Sequence, residues 1–155
     1  MRMTGAKRDG ERGAALVEFA ICATIFLVVV FGVLEFGRML WVHNALADAT
    51  RRAARYAVTR GKSNEPSSET QQAIKNVAVY GNPEGSGSPL VDGLAPGQVM
   101  ITFSDDYGLG AGSVSVEIDK YEFQFVVPLL GTKMQMPAYR TALTSESAGY
   151  VPSPI

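Results

Sequence analysis

The chain has 155 residues, which is enough for one domain beside a membrane segment, and its 14 Lys and Arg against 15 Asp and Glu give a formal net charge of −1. This balance gives no indication of nucleic-acid binding. The single cysteine, Cys22, excludes an intrachain disulfide and a metal site with several thiolate ligands. The distribution of apolar residues is therefore the informative feature of the sequence.

A short charged leader opens the chain. Its cations are Arg2, Lys7, Arg8 and Arg12, and its anions are Asp9 and Glu11. An apolar run follows at once from Ala14 to Leu34, interrupted only by Glu18 and Thr24. Since a helix rises about 1.5 Å per residue, roughly twenty residues cover a hydrocarbon core of about 30 Å. The run therefore predicts a transmembrane helix over residues 14–35.

Two other interpretations of this run are a buried helix of a soluble protein and a secretory signal that is removed. The run is too long and too uniformly apolar for the first. A removed signal has small residues at a cut after its apolar region, whereas residues 35–39 read Glu-Phe-Gly-Arg-Met. We therefore expect the helix to stay attached. The leader cations favour a cytoplasmic N-terminus, but arginines from Arg38 onward follow the helix, and charge counting alone leaves the orientation open.

Glu18 is the charged residue inside the apolar run. A carboxylate at the centre of a membrane helix costs about 2.5 to 3.5 kcal/mol on insertion scales, and the cost is smaller near a helix end, where Glu18 lies. One interpretation is an interfacial carboxylate that reaches water. The other is a carboxylate that pairs with a cation, because a cut after Gly13 would create an amino group on Ala14, in the same chain or in a neighbouring one.

The seven residues Gly13-Ala14-Ala15-Leu16-Val17-Glu18-Phe19 resemble the processing site of type IV prepilin-like proteins. In that family a membrane aspartyl peptidase removes the leader on the cytoplasmic side and leaves the apolar helix in place. More narrowly, residues 12–61 resemble the TadE-like family of minor pilins or pseudopilins in the tight-adherence (Flp) pilus system, through RGAALVEFAI, LEFGRML and ATRRAARYAVTRG. The resemblance implies cleavage between Gly13 and Ala14, and recognition for processing or assembly through Glu18 and Phe19.

Residues 36–61 predict a helical stalk that continues the membrane segment, because they are rich in alanine and contain no proline. Small residues repeat there every four positions: Ala45, Ala49, Ala53 and Ala57. Such a stripe lets another element approach closely, and it packs either on the chain's own C-terminal domain or on another subunit. Trp41 lies where an interfacial aromatic anchor is expected. His43, the only histidine, has no neighbouring residue of metal-ligand type.

Residues 62–147 predict a small extracytoplasmic domain. Ser68 is a candidate cap for a short helix over 69–80, and a long loop rich in Gly, Pro and Ser follows over 81–97. Alternation of period two then predicts four strands, which begin near Val99, Val114, Tyr121 and Tyr139. Together they indicate an antiparallel sheet with one face covered by the stalk helix.

The predicted fold class is therefore α+β, with a long N-terminal transmembrane and stalk helix packed on a small antiparallel sheet domain with one short extra helix. The predicted order is a leader over 1–13, a transmembrane helix over 14–35, a stalk over 36–61, the domain over 62–147 and a flexible tail over 148–155. The stretch YEFQFVVPLLG also resembles the segment that closes TadE-like domains.

The sequence shows no recognisable catalytic constellation. His43 completes no Ser/His/Asp arrangement, and Asp105-Asp106-Tyr107-Gly108 lacks the spacing of a calcium loop and favours a solvated turn. We therefore predict a protein that is not an enzyme and that takes no cofactor, metal or small-molecule substrate.

The leading hypothesis is a minor pilin or pseudopilin-like protein of the bacterial inner membrane. Its N-terminus would be cytoplasmic and its domain extracytoplasmic. The resemblance implies a prepilin peptidase, other pilus or pseudopilus subunits, assembly-platform proteins and membrane lipid as partners. The alternative is an uncleaved signal-anchor that holds a ligand- or protein-binding module, and a membrane-tethered enzyme is disfavoured by the missing constellation.

Overall fold

The computed structural model describes residues 6–60, 66–104, 112–127 and 132–144, with side chains of the first helix from residue 13 onward. Within these residues it confirms the α+β class. The elements are α1 (Ala6–Arg60), α2 (Ser68–Tyr80), β1 (Val99–Phe103), β2 (Ser113–Ile118), β3 (Glu122–Gln124), β4 (Lys133–Gln135) and β5 (Tyr139–Thr144). The turn expected at 105–108 and the tail expected at 148–155 lie outside the described residues.

Helix α1 runs without a break through the predicted membrane segment and stalk. Its 55 residues give a length of about 80 Å at the usual rise per residue. Every side chain from Gly13 to Leu34 is exposed or half-buried, and Leu16 and Phe19 are 70% and 71% exposed. Among the described residues α1 contains one stretch long and apolar enough to cross a membrane, which is compatible with a single-pass anchor.

The alanine stripe of α1 is buried within the chain itself. Ala49, Ala53 and Ala57 are fully buried and Ala45 packs at the edge of the same core. Because these side chains are small, α1 lies close against β2, β5 and α2. The sequence left two packing partners open for the stripe, the chain's own domain or another subunit. In the structure the stripe packs on the chain's own domain.

The main sheet has the strand order β1-β2-β5, with the central β2 antiparallel to both neighbours. Alternation is confirmed for these three strands, and the inward residues of β2 are fully buried: Val114, Val116 and Ile118. A polar contact also crosses the core, where the hydroxyls of Thr50 on α1 and Thr141 on β5 are 2.9 Å apart. Since each hydroxyl can donate to or accept from the other, neither is left unsatisfied by burial.

The third predicted strand does not join this sheet, and the prediction was wrong on that point. Alternation from Tyr121 to Val127 predicted a member of the main sheet, but β3 ends at Gln124 and pairs only with β4, which the sequence did not predict. The early end of β3 has a physical reason. The N–H groups of Val126 and Val127 donate to the carboxylate of Glu35 on α1 and are therefore engaged away from any ladder.

Helix α2 begins one residue earlier than predicted, because Ser67 rather than Ser68 is its cap: the Ser67 hydroxyl accepts the N–H of Thr70 at 3.2 Å. The long loop after α2 is packed on the domain. Val91 and Leu94 are buried, and the side chain of Asn82 bonds the backbone N–H and C=O of Ser86 at 3.1 and 2.8 Å. This loop is therefore part of the folded domain.

Replacing Ala53 by Leu tests the packing of α1 on the sheet. The site has no room for three more carbons, so we expect a loss of about 1–3 kcal/mol in the free energy of unfolding. Arg55→Leu places the same side chain on the exposed face and should change stability by less than about 0.5 kcal/mol. Thermal unfolding of the full chain in detergent, followed by near-ultraviolet circular dichroism, measures both. Equal unfolding temperatures for the two variants would contradict the burial of the stripe.

Candidate processing and assembly site

The predicted processing residues lie on the exposed N-terminal part of α1. Ala14 and Glu18 are four residues apart and share one helical face, and together with Gly13, Val17, Ile21 and Cys22 they line a shallow open groove. Phe19 is also exposed, but it follows Glu18 by one residue and so points about 100° further round the helix. The structure thus places Ala14, one of the two predicted cleavage residues, on the face of Glu18, with Gly13 beside it in the same groove, and it places Phe19 on a neighbouring face.

Ala14 and Glu18 are one helical turn apart, which brings side chains at these positions within about 5–6 Å of each other. In the intact chain α1 already begins at Ala6, so Glu18 lies well inside the helix. A cut after Gly13 would make Ala14 the first residue. Glu18 would then lie one turn from a new ammonium group and from the free N–H groups of the helix end, both of which stabilise a carboxylate.

A second cluster, which the sequence analysis missed, lies where the exposed apolar segment ends. Glu35 is only 5% exposed, although it is charged. One carboxylate oxygen accepts the N–H groups of Val126 and Val127 at 2.7 and 3.0 Å, and the other accepts Nε and Nη2 of Arg38 at 3.1 and 3.0 Å. Because both oxygens are fully engaged and the charge is paired, burial of this carboxylate is compensated.

Arg38 ties the same region to β3. Its guanidinium also donates to the backbone carbonyl of Gln124 and lies 4.3 Å from the ring centroid of Phe123, which is itself buried. We call Glu35, Arg38 and the segment 123–127 the junction. The junction holds the β3–β4 hairpin against α1. The sequence signal that would have found it is an acid followed three residues later by arginine, directly after the apolar run.

A concave surface of about 490 Å³ lies beside the junction, between α1 and the loops around Asp92 and Lys120. Trp41, which is 59% exposed, lies at its α1 side, where the sequence placed an interfacial anchor. The hydroxyl of Tyr121 donates to the backbone carbonyl of Asp92 at 2.6 Å. Burial, with a further effect from the Asp92 charge, raises the pKa of Tyr121, so this hydroxyl keeps its proton and remains a donor.

His43 makes a structural contact. Its Nδ1 lies 2.8 Å from the hydroxyl of Tyr139, and the two rings meet edge to face at 5.1 Å, which joins α1 to β5. In the part of the chain that the structure describes, no group of three or more His, Cys, Asp and Glu side chains is placed to hold a metal ion. The weak calcium candidate at Asp105 and Asp106 lies outside those residues.

Comparison with known proteins gives one family. Residues 13–55 match the model of a family described as TadE-like protein, and no curated protein and no solved structure matches the chain. The match confirms the resemblance stated above for this part of the chain. It covers the predicted processing motif, the apolar segment and the two junction residues of α1.

Replacing Glu35 by Ala tests the junction. The variant leaves the N–H groups of Val126 and Val127 and the guanidinium of Arg38 without their acceptor, so the hairpin should open locally. We expect hydrogen exchange at these two amides to accelerate by roughly tenfold or more, because 1.4 kcal/mol corresponds to a factor of ten.

The matched control is Glu122→Ala, which removes an exposed carboxylate paired with Lys133 at 2.9 Å. An exposed ion pair of this kind contributes little to stability, so exchange at 126 and 127 should stay near the wild-type rate. If the amides of Val126 and Val127 exchange at the same rate in the two variants, Glu35 does not hold the hairpin against α1.

Proposed function

We propose that this chain is a minor pilin or pseudopilin-like single-pass membrane protein that takes part in assembly of a tight-adherence pilus. In this proposal a prepilin peptidase removes residues 1–13. The observation that carries the proposal is geometric: Ala14, next to Gly13, and Glu18 share one exposed face of α1, at the start of an exposed apolar segment and within the TadE-like match.

Separation along α1 supports processing of the folded protein. The first buried side chain along the described part of α1 is Glu35, and 22 residues, about 33 Å of helix, separate it from Gly13. This distance is close to the thickness of a hydrocarbon core. A peptidase at the cytoplasmic surface would therefore reach the Gly13–Ala14 bond while the domain stays folded on the opposite side of the membrane.

Cleavage would prepare the helix for assembly. The new ammonium group of Ala14 would compensate Glu18, within the chain or from a neighbouring subunit, and the uncompensated charge in the apolar segment would disappear. The exposed side chains from Ala14 to Leu34 would then pack among the apolar helices of other subunits. The alanine stripe is already buried in the chain's own domain, so subunit contacts would use the apolar segment and the outer face of the domain.

The role proposed here is assembly rather than catalysis. The protein would reside in the bacterial inner membrane with the leader in the cytoplasm and the domain outside it. Its partners would be the prepilin peptidase, other pilus or pseudopilus subunits and proteins of the assembly platform.

A second candidate function is an uncleaved anchor that holds a binding module. The concave surface beside Trp41 favours it, because it is a formed site with aromatic and charged side chains on its wall. Such a protein would retain its leader and bind its ligand as a monomer. The state of the N-terminus separates the two candidates.

Replacing Gly13 by Leu should abolish cleavage. Added atoms at Gly13 meet nothing within 4 Å and Leu is a good helix former, so the variant should fold and insert normally. A loss of processing would thus report recognition by the peptidase. The control is Gly37→Leu, which places the same side chain at another helical glycine with open space around it. Intact mass should give the full-length chain for Gly13→Leu and the shortened chain for the control; a shortened chain for both would contradict cleavage at this bond.

Replacing Glu18 by Ala should impair assembly more than membrane insertion. Loss of a charge-assisted pair worth about 1.5–3 kcal/mol predicts a fall on the order of tenfold or more in the assembled fraction. Thr24→Ala changes another exposed polar residue of the segment, whose hydroxyl only bonds the backbone of Ala20, and should assemble normally. The assembled and membrane fractions are measured by shearing and fractionation of cells. Normal assembly of Glu18→Ala would contradict the pairing.

A further inference from the structure

Val126 is an apolar side chain on the outside of the turn that follows β3. It is 72% exposed, as much as Phe19 on the apolar segment itself. A single exposed apolar residue is ordinary on a protein surface. This one is not isolated, because Val126 and Val127 line a groove together with Phe31, Leu34, Glu35 and Arg38 of α1. Glu35 and Arg38 pair with each other there, so the turn and the end of the apolar segment form one surface that is mainly apolar.

The depth of this surface follows from the length of the helix. From Ala14 to Leu34 the helix rises about 30 Å, which is the thickness of a hydrocarbon core. The level of Leu34 is then the outer boundary of that core. The N–H groups of Val126 and Val127 bond Glu35, the next residue along α1, so the turn lies at the same level.

Side chains just beyond this level suit the interfacial zone. Exposed apolar and aromatic residues continue along the next turns of α1: Phe36, Leu40 and Trp41. Tryptophan is enriched where one part of a side chain meets lipid and another meets water. Lys133 lies opposite Gln124 in the hairpin, and its exposed ammonium, paired with Glu122 at 2.9 Å, lies near the height of lipid headgroups.

The turn is also held in place. Glu35 binds its backbone and Arg38 binds the end of β3, so the hairpin is attached to α1 independently of the main sheet. A turn fixed in this way presents Val126 without a further ordering cost.

We propose that the turn at residues 125–127 inserts Val126 into the outer interface of the bilayer that α1 spans. The occupant of this surface is lipid, at the boundary between headgroups and acyl chains. The domain is thereby attached to the membrane at two points, which restricts its tilt relative to the membrane plane. This inference rests on the membrane anchor of the proposed function and is independent of cleavage.

The test places one fluorescent label at a time on the full-length chain in liposomes. A dye sensitive to polarity is attached to Val126→Cys in a Cys22→Ala background. Ala142→Cys, in the same background, is the matched control, because Ala142 is exposed on β5. Its neighbour Thr141 contacts Thr50 on α1. By helix rise, residue 142 therefore lies about 20 Å further from the apolar segment than residue 126 does. The native Cys22, labelled in the unaltered chain, reports the anchor. Readouts are emission wavelength and quenching by lipids brominated at shallow or deep positions and by aqueous iodide.

We expect a blue shift at 126, with stronger quenching by shallow than by deep brominated lipid and weak quenching by iodide. The label at 142 should be quenched by iodide alone, and the label at Cys22 by deep brominated lipid. Iodide quenching at 126 equal to that at 142, with Cys22 still in lipid, would overturn the inference and leave the anchor intact. A third outcome is a blue shift at 126 with no quenching by brominated lipid. If that shift disappears when the protein is diluted in lipid, Val126 contacts another copy of the chain and the inference of lipid contact is overturned. A Cys22 label outside the lipid would instead contradict the anchor itself.

Discussion

One continuous helix has to satisfy two environments, and the change between them occurs at Glu35. Before this residue the described side chains of α1 are exposed and mostly apolar; after it, one face carries small side chains packed on the domain. A buried carboxylate at this position is tolerable only because backbone N–H groups and Arg38 engage both of its oxygens. The position of the hairpin, the end of β3 and the level at which the domain begins all depend on these bonds.

The same helix separates two kinds of chemistry. Its N-terminal end carries the groups that cleavage would alter, namely the Gly13–Ala14 bond and Glu18. Its C-terminal half carries the packing that stabilises the domain. Because about 30 Å of helix lies between them, a change of charge at one end is screened from the fold at the other. We therefore expect the domain to have the same fold before and after the proposed processing. This is compatible with a subunit that stays in the membrane after cleavage and before assembly.

The features that the sequence revealed are those with a local cause. The length of the apolar run, the alanine content of the stalk and the alternation in β1, β2 and β5 are each decided by neighbouring residues. The junction was not predictable in this way, since Glu35 and Val126 are 91 residues apart and meet only in the folded chain. The residues around Phe123 do alternate, but the carboxylate of Glu35 on α1 accepts the N–H groups of Val126 and Val127, which a longer strand would have donated to a neighbouring strand. Strand β4, with the sequence Lys-Met-Gln, alternates over only three residues, which is too short for a period of two to be recognised.

In the proposed function, cleavage makes Ala14 the N-terminal residue while α1 remains in the membrane. The most direct measurement is the mass of the N-terminal peptide of the protein purified from its own host's membranes. We expect a chain that begins at Ala14 and retains the apolar segment. A chain that begins at Met1 would contradict processing and favour the anchored binding module, and one that begins beyond Leu34 would contradict the anchor as well.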